Sequence, residues 1–132
     1  MIDHTGICVS SFERSKAFYQ KALAPLGYNL QLEFKQTAGF RAAVAGKQDD
    51  PGGDFWITGG EPFTPGSHIA FRAGNRAEVN AFYMAAIAAG GRDNGAPEVC
   101  ANYHEHYYAG FVHDPDGYNI EAVCHQNPVE AA

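Results

Sequence analysis

The chain has 132 residues, 45% of them hydrophobic and 18% charged, enough to bury a core without metal or disulfide staples. Nine basic residues against 15 acidic ones give a formal charge of -6, which offers no basic patch for phosphates and argues against a nucleic-acid partner. No stretch approaches the ~18 apolar residues of a membrane span, no basic and apolar leader opens the chain, and Cys8, Cys100 and Cys124 are too scattered for a disulfide framework, so the expectation is a cytoplasmic protein acting on small molecules, with reduced thiols.

In chain order, Ile2 to Val9 has strand character, and Ser10 followed by Glu13 is a capping-box signal for a helix running to about Ala24. Phe12, Tyr19, Leu23 and Leu26 recur near helical spacing, and Gly27 supplies the stop. Tyr28 to Phe34, Arg41 to Ala45 and Asp54 to Thr58 read as three further strands, separated by Gly, Pro and Asp. A strand at His68 to Arg72 follows, then a helix opened by Asn75, with Glu78 at its third position, and stopped at Gly90-Gly91. The last strands are placed near Arg92, at Tyr107 to His113 and at Asn119 to Val123, with the tight-turn sequence Asp114-Pro115-Asp116-Gly117 between the final two. Gln126 to Ala132 forms a short tail.

This order repeats itself. A shift of 64 positions brings His4 onto His68, Ala17-Phe18-Tyr19 onto Ala81-Phe82-Tyr83 and Gly27 onto Gly91. Without a gap it also brings Ala45-Gly46 onto Ala109-Gly110 and Asp50-Pro51-x-Gly53 onto Asp114-Pro115-x-Gly117. The expected architecture is α+β: one domain over 1–132, made of two tandem βαβββ modules at about 1–60 and 65–125, with eight strands and two helices.

Side chains alternate across a strand, so His4, Gly6 and Cys8 share one face of the first strand while Thr5, Ile7 and Val9 share the other. Ile69 and Phe71 then pack under the second helix, and His68, Ala70 and Arg72 face away from it. Tyr118, Ile120 and Ala122 take the core side of the last strand, leaving Asn119, Glu121 and Val123 opposite. His4, His68 and Glu121 are therefore expected on the helix-free side of the sheets. By the same alternation Trp56 is expected on the helix side and Ile57 opposite it, at the first-module counterpart of Glu121.

Ile2-Asp3-His4-x-Gly6-Ile7-x-Val9, Ser67-His68-Ile69-Ala70-Phe71 and Phe111-Val112-x-Asp114-Pro115-Asp116-Gly117-x-Asn119-Ile120-Glu121 together resemble the vicinal oxygen chelate superfamily, the glyoxalase, bleomycin-resistance and extradiol dioxygenase relatives. The resemblance spans essentially the whole chain. It implies paired modules curved into a mixed-sheet cup with helices on the outside, a homodimer, and a divalent metal held by His4, His68 and Glu121. Two imidazoles and one carboxylate suit Fe(II) or Mn(II), and Zn(II) also accepts the set. A glyoxalase I would carry a fourth ligand in the first module, and Ile57 cannot donate, so the resemblance leans toward a dioxygenase-like enzyme acting on vicinal oxygens. The alternatives are a metal-free, drug-sequestering protein of the bleomycin-resistance type and a thiol-transferase-type resistance enzyme.

Asn102-Tyr103-His104-Glu105-His106-Tyr107-Tyr108 is the most unusual stretch, and His104, His106 and Tyr108 are candidates for moving a proton beside a metal-bound oxygen. A polar loop with aromatic packing is the competing reading. Arg41 and Arg72 are candidate anchors for a substrate carboxylate, with Phe55 and Tyr103 as apolar wall.

Overall fold

The order of elements follows from local chemistry first. In a computed structural model of the chain, which describes residues 2–42 and 52–128, alternation buries Ile7 and Val9 of Thr5–Val9 (β1) beneath the first helix. That helix, Phe12–Ala22 (α1), starts one residue later than the Ser10 and Glu13 signal suggests. Ser11 is the N-cap, its hydroxyl accepting the Arg14 N–H at 3.4 Å. Ser10 is engaged elsewhere, since its N–H and hydroxyl both donate to the Asp116 carboxylate. A short 3₁₀ turn, Ala24–Leu26, then hands over to Gly27, whose φ of 84° ends the helical path.

Tyr28–Phe34 (β2) and Thr37–Ala42 (β3) form a hairpin whose turn places Lys35 at φ 54°. The third strand therefore begins ahead of the expected Arg41, and residues 43–45 of that expectation lie outside the described residues. Phe55–Gly59 (β4) inserts between β3 and β1, antiparallel to one and parallel to the other, giving the order β1-β4-β3-β2. The second sheet repeats this plan with His68–Arg72 (β5), Arg76–Ala88 (α2), Arg92–Asp93 (β6), Tyr108–His113 (β8) and Asn119–Cys124 (β9), in the order β5-β9-β8-β6. Asn75 caps α2 by accepting the Glu78 N–H at 2.9 Å. Glu98–Val99 (β7) pairs with β8 and makes nine strands among the described residues, one more than the repeat suggests. No helix among them is long and apolar enough to cross a membrane.

The helix-covered sides of the two sheets meet in one core. Phe55 and Phe71, one from each sheet, pack edge to face at 5.2 Å, and Tyr28 packs on Phe71 at the same distance. Tyr19 of α1 donates its hydroxyl to the buried Asp114 at 2.5 Å, and Asp114 also accepts the N–H groups of Asp116 and Tyr118 at 2.9 Å each. Burial pushes the Asp114 carboxyl above its ordinary value, and the same burial, reinforced by Asp114, raises Tyr19 well above its own. The helix-free sides of both sheets are turned outward from this shared core.

The two modules do not superpose at a constant offset. Gly6 and Ala70, 64 positions apart, occupy equivalent strand positions, but their sheet partners Trp56 and Glu121 are 65 apart. Opposite those partners stand Gly39 and Phe111, which are 72 apart. The module connections thus differ in length. The ungapped match of Ala45-Gly46 to Ala109-Gly110 is not a structural equivalence, since Ala109 corresponds in register to Thr37. Ala45-Gly46 and Asp50-Pro51 themselves, with tail residues 129–132, lie outside the described residues.

Candidate functional site

The parallel pairing of β5 with β9 sets Ala70 opposite Glu121, so His68, Ala70, Arg72, Asn119, Glu121 and Val123 share the helix-free side of the second sheet. Glu121 is fully buried there although no helix covers it. The segment between β7 and β8 does the covering: Tyr107 donates its hydroxyl to Glu121 Oε2 at 2.5 Å. On the other side His68 Nε2 lies 2.7 Å from Glu121 Oε1. Both carboxylate oxygens therefore have a partner, which is what a buried carboxylate requires. His68 is half exposed, so the pair opens to solvent through the imidazole.

Tyr107 is the residue beside Glu121 that sequence reasoning did not single out. Burial, then its bond to Glu121, raises the phenol far above its ordinary value, so it stays protonated and donating at neutral pH. The only sequence signal was its place among three tyrosines, and parity decides between neighbours. Tyr108 points to the other side, where its hydroxyl donates to Asn80 of α2 at 2.7 Å beneath the Arg76 guanidinium. Cys100 is no activated thiol: burial, then Glu98 and Glu121, push it upward.

The remaining residues of the unusual stretch gather around Tyr107 rather than on Glu121. His104 accepts the His106 N–H on Nδ1 at 3.1 Å, so its proton sits on Nε2 and is donated to His125 Nδ1 at 2.9 Å. The rings of His104 and His125 flank Tyr107 at 5.4 and 5.2 Å, and exposed Tyr103 packs against it at 4.8 Å with its ring tilted by 51°. His106 turns aside to Glu105 at 3.1 Å. Arg72 lies at a shallow groove with His125 and Gln126. Arg41 lies on the helix-free side of the first sheet, and Phe55 is in the core, where it also borders a cavity.

That cavity, about 500 Å³, is lined by His4, Thr5, Tyr28, Phe55, His68 and Phe71 among others, so both histidines of the repeat border one space. They do not converge on one point. His4 pairs through Nδ1 with Asp3 at 2.7 Å, and among the described residues no three His, Cys, Asp or Glu side chains are gathered where they could hold one ion. His68 and Glu121 alone fit as a two-donor pair, because ligand atoms 2.7 Å apart can both reach an ion at ~2.0–2.2 Å.

The first-module counterpart of Glu121 is Trp56, not Ile57. Gly6 pairs with Trp56 as Ala70 pairs with Glu121, whereas Ile57 pairs with Ile7 on the helix side and is fully buried in the core. The expected facing of Trp56 and Ile57 is thus reversed, because β4 is displaced by one residue and a one-residue step exchanges the faces of a strand. An indole, like an isoleucine, supplies no metal ligand.

Two mixed sheets built from repeated β-α-β-β-β units, with a histidine and a buried glutamate on the helix-free side of one, define a glyoxalase-like protein. The sequence model of the Glyoxalase/Bleomycin resistance protein/Dioxygenase superfamily matches residues 1–122, and the chain belongs to that superfamily. Among solved structures it is similar to a glyoxalase/bleomycin resistance protein from Albidiferax ferrireducens T118, at 28% identity and a TM-score of 0.76, covering 92% of this chain and 96% of that one. A glyoxalase/bleomycin resistance protein/dioxygenase family enzyme from Burkholderia phytofirmans PsJN shares the fold at 16% identity and a TM-score of 0.69, covering 95% and 98% of the two chains. So does a lactoylglutathione lyase from Agrobacterium tumefaciens, at 16% identity and a TM-score of 0.65, covering 94% and 92%. No curated protein sequence matches the chain.

Proposed function

We propose that the chain is a metal-dependent enzyme acting on a small vicinal-oxygen substrate, with its centre at His68 and Glu121 and with His4 of a second copy as third ligand. The observation that carries this reading is the buried Glu121, held between His68 Nε2 at 2.7 Å and the Tyr107 hydroxyl at 2.5 Å. A buried carboxylate whose outer oxygen faces a half-exposed imidazole offers two metal-ligating atoms side by side at the solvent opening. An Fe(II), Mn(II) or Zn(II) ion at this pair would supply Lewis acidity toward a substrate oxygen. Tyr107, protonated at neutral pH, fixes one Glu121 oxygen and leaves the other to face His68. The third ligand is assigned to a second copy because His4 is not gathered with His68 and Glu121, while β1 and β5, which follow or carry these histidines, end their sheets as edges.

Metal analysis of protein purified with Mn(II) tests this directly. His68→Ala and His4→Ala each lose the ion without unfolding. Mixing the two variants after partial unfolding and refolding restores about a quarter of the wild-type metal, since half of the dimers are mixed and each of those has one intact site. Metal retained in full by His68→Ala overturns the metal centre, and no recovery on mixing overturns the shared site. Metal-loaded protein is expected to act on catechol-like substrates and to leave the hemithioacetal of glutathione unchanged, because Trp56 stands where a fourth ligand would be needed.

A further inference from the structure

The hairpin loop between β7 and β8 is tied both within itself and to the strand beside it. Within it, the Cys100 N–H donates to the Tyr107 carbonyl at 2.7 Å, the Tyr103 N–H to the Cys100 carbonyl at 3.0 Å and the Tyr107 N–H to the His104 carbonyl at 3.2 Å. Two side-chain bonds tie it to β9 and the residue that follows: Tyr107 to Glu121, and His104 Nε2 to His125 Nδ1 at 2.9 Å. The second bond follows from register. Tyr108 pairs with Cys124 in the β8–β9 ladder, so the next pair outward sets Tyr107 across from His125, with their rings 5.2 Å apart.

The bond between the two imidazoles exists in one protonation state only. His104 Nδ1 accepts the His106 N–H at 3.1 Å, so His104 donates through Nε2 and His125 must offer a bare lone pair on Nδ1. A proton taken up at His125 Nδ1 sets two N–H groups against each other, and one taken up at His104 Nδ1 displaces the His106 N–H. Both residues are exposed, so solvent protons reach them without any prior opening. Imidazole is also the side chain whose charge changes between about pH 5 and 8. The surrounding groups do not compensate. Glu105 is engaged with His106 at 3.1 Å, and both Glu121 oxygens are occupied by Tyr107 and His68. Glu98, Cys100 and Tyr103 complete the titratable groups of β7 and the loop. Arg72 of β5 shares a groove with His125, so a protonated His125 meets like charge on that side as well as from a protonated His104.

We propose that His104 and His125 form a proton-operated latch on this loop, closed while both rings are neutral and released on acidification, which frees the cover that Tyr107 places over Glu121. The moving part is the loop from 100 to 107, and the shared core is untouched. The latch stands on the histidine geometry and not on the metal reading above, so the same release is expected of protein that has never held a metal. Closed, it holds Tyr107 against a fully buried Glu121. Released, it turns the loop into a low-stability segment that water enters.

Amide hydrogen exchange followed by NMR on the metal-free full chain tests this, with rates at about pH 8 and about pH 5.5 converted to protection factors so that the intrinsic pH dependence of exchange drops out. The Cys100, Tyr103 and Tyr107 amides are expected to lose about fivefold in protection at the lower pH, as for one hydrogen bond. The Phe111 amide of β8, which donates to the Gly95 carbonyl at 2.8 Å, stays protected and shows that the fold is intact. His125→Gln keeps an acceptor that does not titrate and is expected to hold the loop's protection constant, whereas His125→Ala lowers it at both pH values. Ring nitrogen shifts of His104 and His125 in the wild-type protein should move in step with the loss. Loop protection that is the same at both pH values overturns the latch. So does a fall that is as large in His125→Gln as in the wild type, which would place the switch on another group.

Discussion

Tyr107 and Tyr108 are adjacent in the chain and do unrelated work. Tyr107 satisfies a buried carboxylate on one side of the second sheet, and Tyr108 bonds Asn80 of α2 on the other. Replacing Tyr107 by Phe leaves one oxygen of Glu121 without its donor, and the fully buried position gives water little access to replace it. Tyr107→Phe is expected to cost about 1–3 kcal/mol in urea denaturation, whereas the half-buried Tyr108→Phe costs about 1 kcal/mol or less. Equal costs would mean that the Glu121 bond is not special. The stretch of two histidines and three tyrosines was legible as unusual, but which tyrosine faces the carboxylate depends on where β8 begins, and a shift of one residue there exchanges them.

Among the elements, the clearest coupling outside the candidate site is between α2 and the end of β6. Asp93 accepts the Gly95 N–H and the Tyr83 hydroxyl, each at 2.9 Å, and these two bonds, the backbone one first, hold its carboxyl below the ordinary value. A depressed folded pKa means that the ionised form is the stabilising one. Its contribution is present above the ordinary carboxylate range and is lost as pH falls through the depressed value. The wild-type protein is therefore expected to exceed Asp93→Asn in stability at neutral pH, with the gap closing as pH is lowered below about 4 in thermal melts. A gap that does not change with pH would assign the effect to packing. The N-cap of α2 could be read directly, because Asn75 binds only within its own turn. That of α1 could not, because Ser10 is drawn away by Asp116, 106 positions along the chain.

At the scale of the molecule the two modules share one core, and Phe71 is its hinge between sheets, in contact with Phe55 and Tyr28 of the first module. Phe71→Ala is expected to cost about 3–5 kcal/mol. Trp56 fluorescence in the first sheet should report the whole loss, although the substitution is in the second. An unshifted Trp56 transition would show that the modules unfold independently. The sequence by itself determined the elements that depend on near neighbours: the period-2 alternation that puts His68 and Glu121 on one side, the Asn75 cap, the Gly27 stop and the existence of a repeat. Only the tertiary structure decided what depends on pairing across the chain. The one-residue displacement of β4 exchanges Trp56 for Ile57, because connection lengths do not record register. The residue at which β8 begins selects Tyr107 for Glu121, and among the described residues no third metal-ligating side chain is gathered with the His68 and Glu121 pair. Such contacts join residues from 14 positions apart, as Tyr107 and Glu121, to 53 apart, as His68 and Glu121, and they are set by strand register, on which neither periodicity nor local propensity carries information.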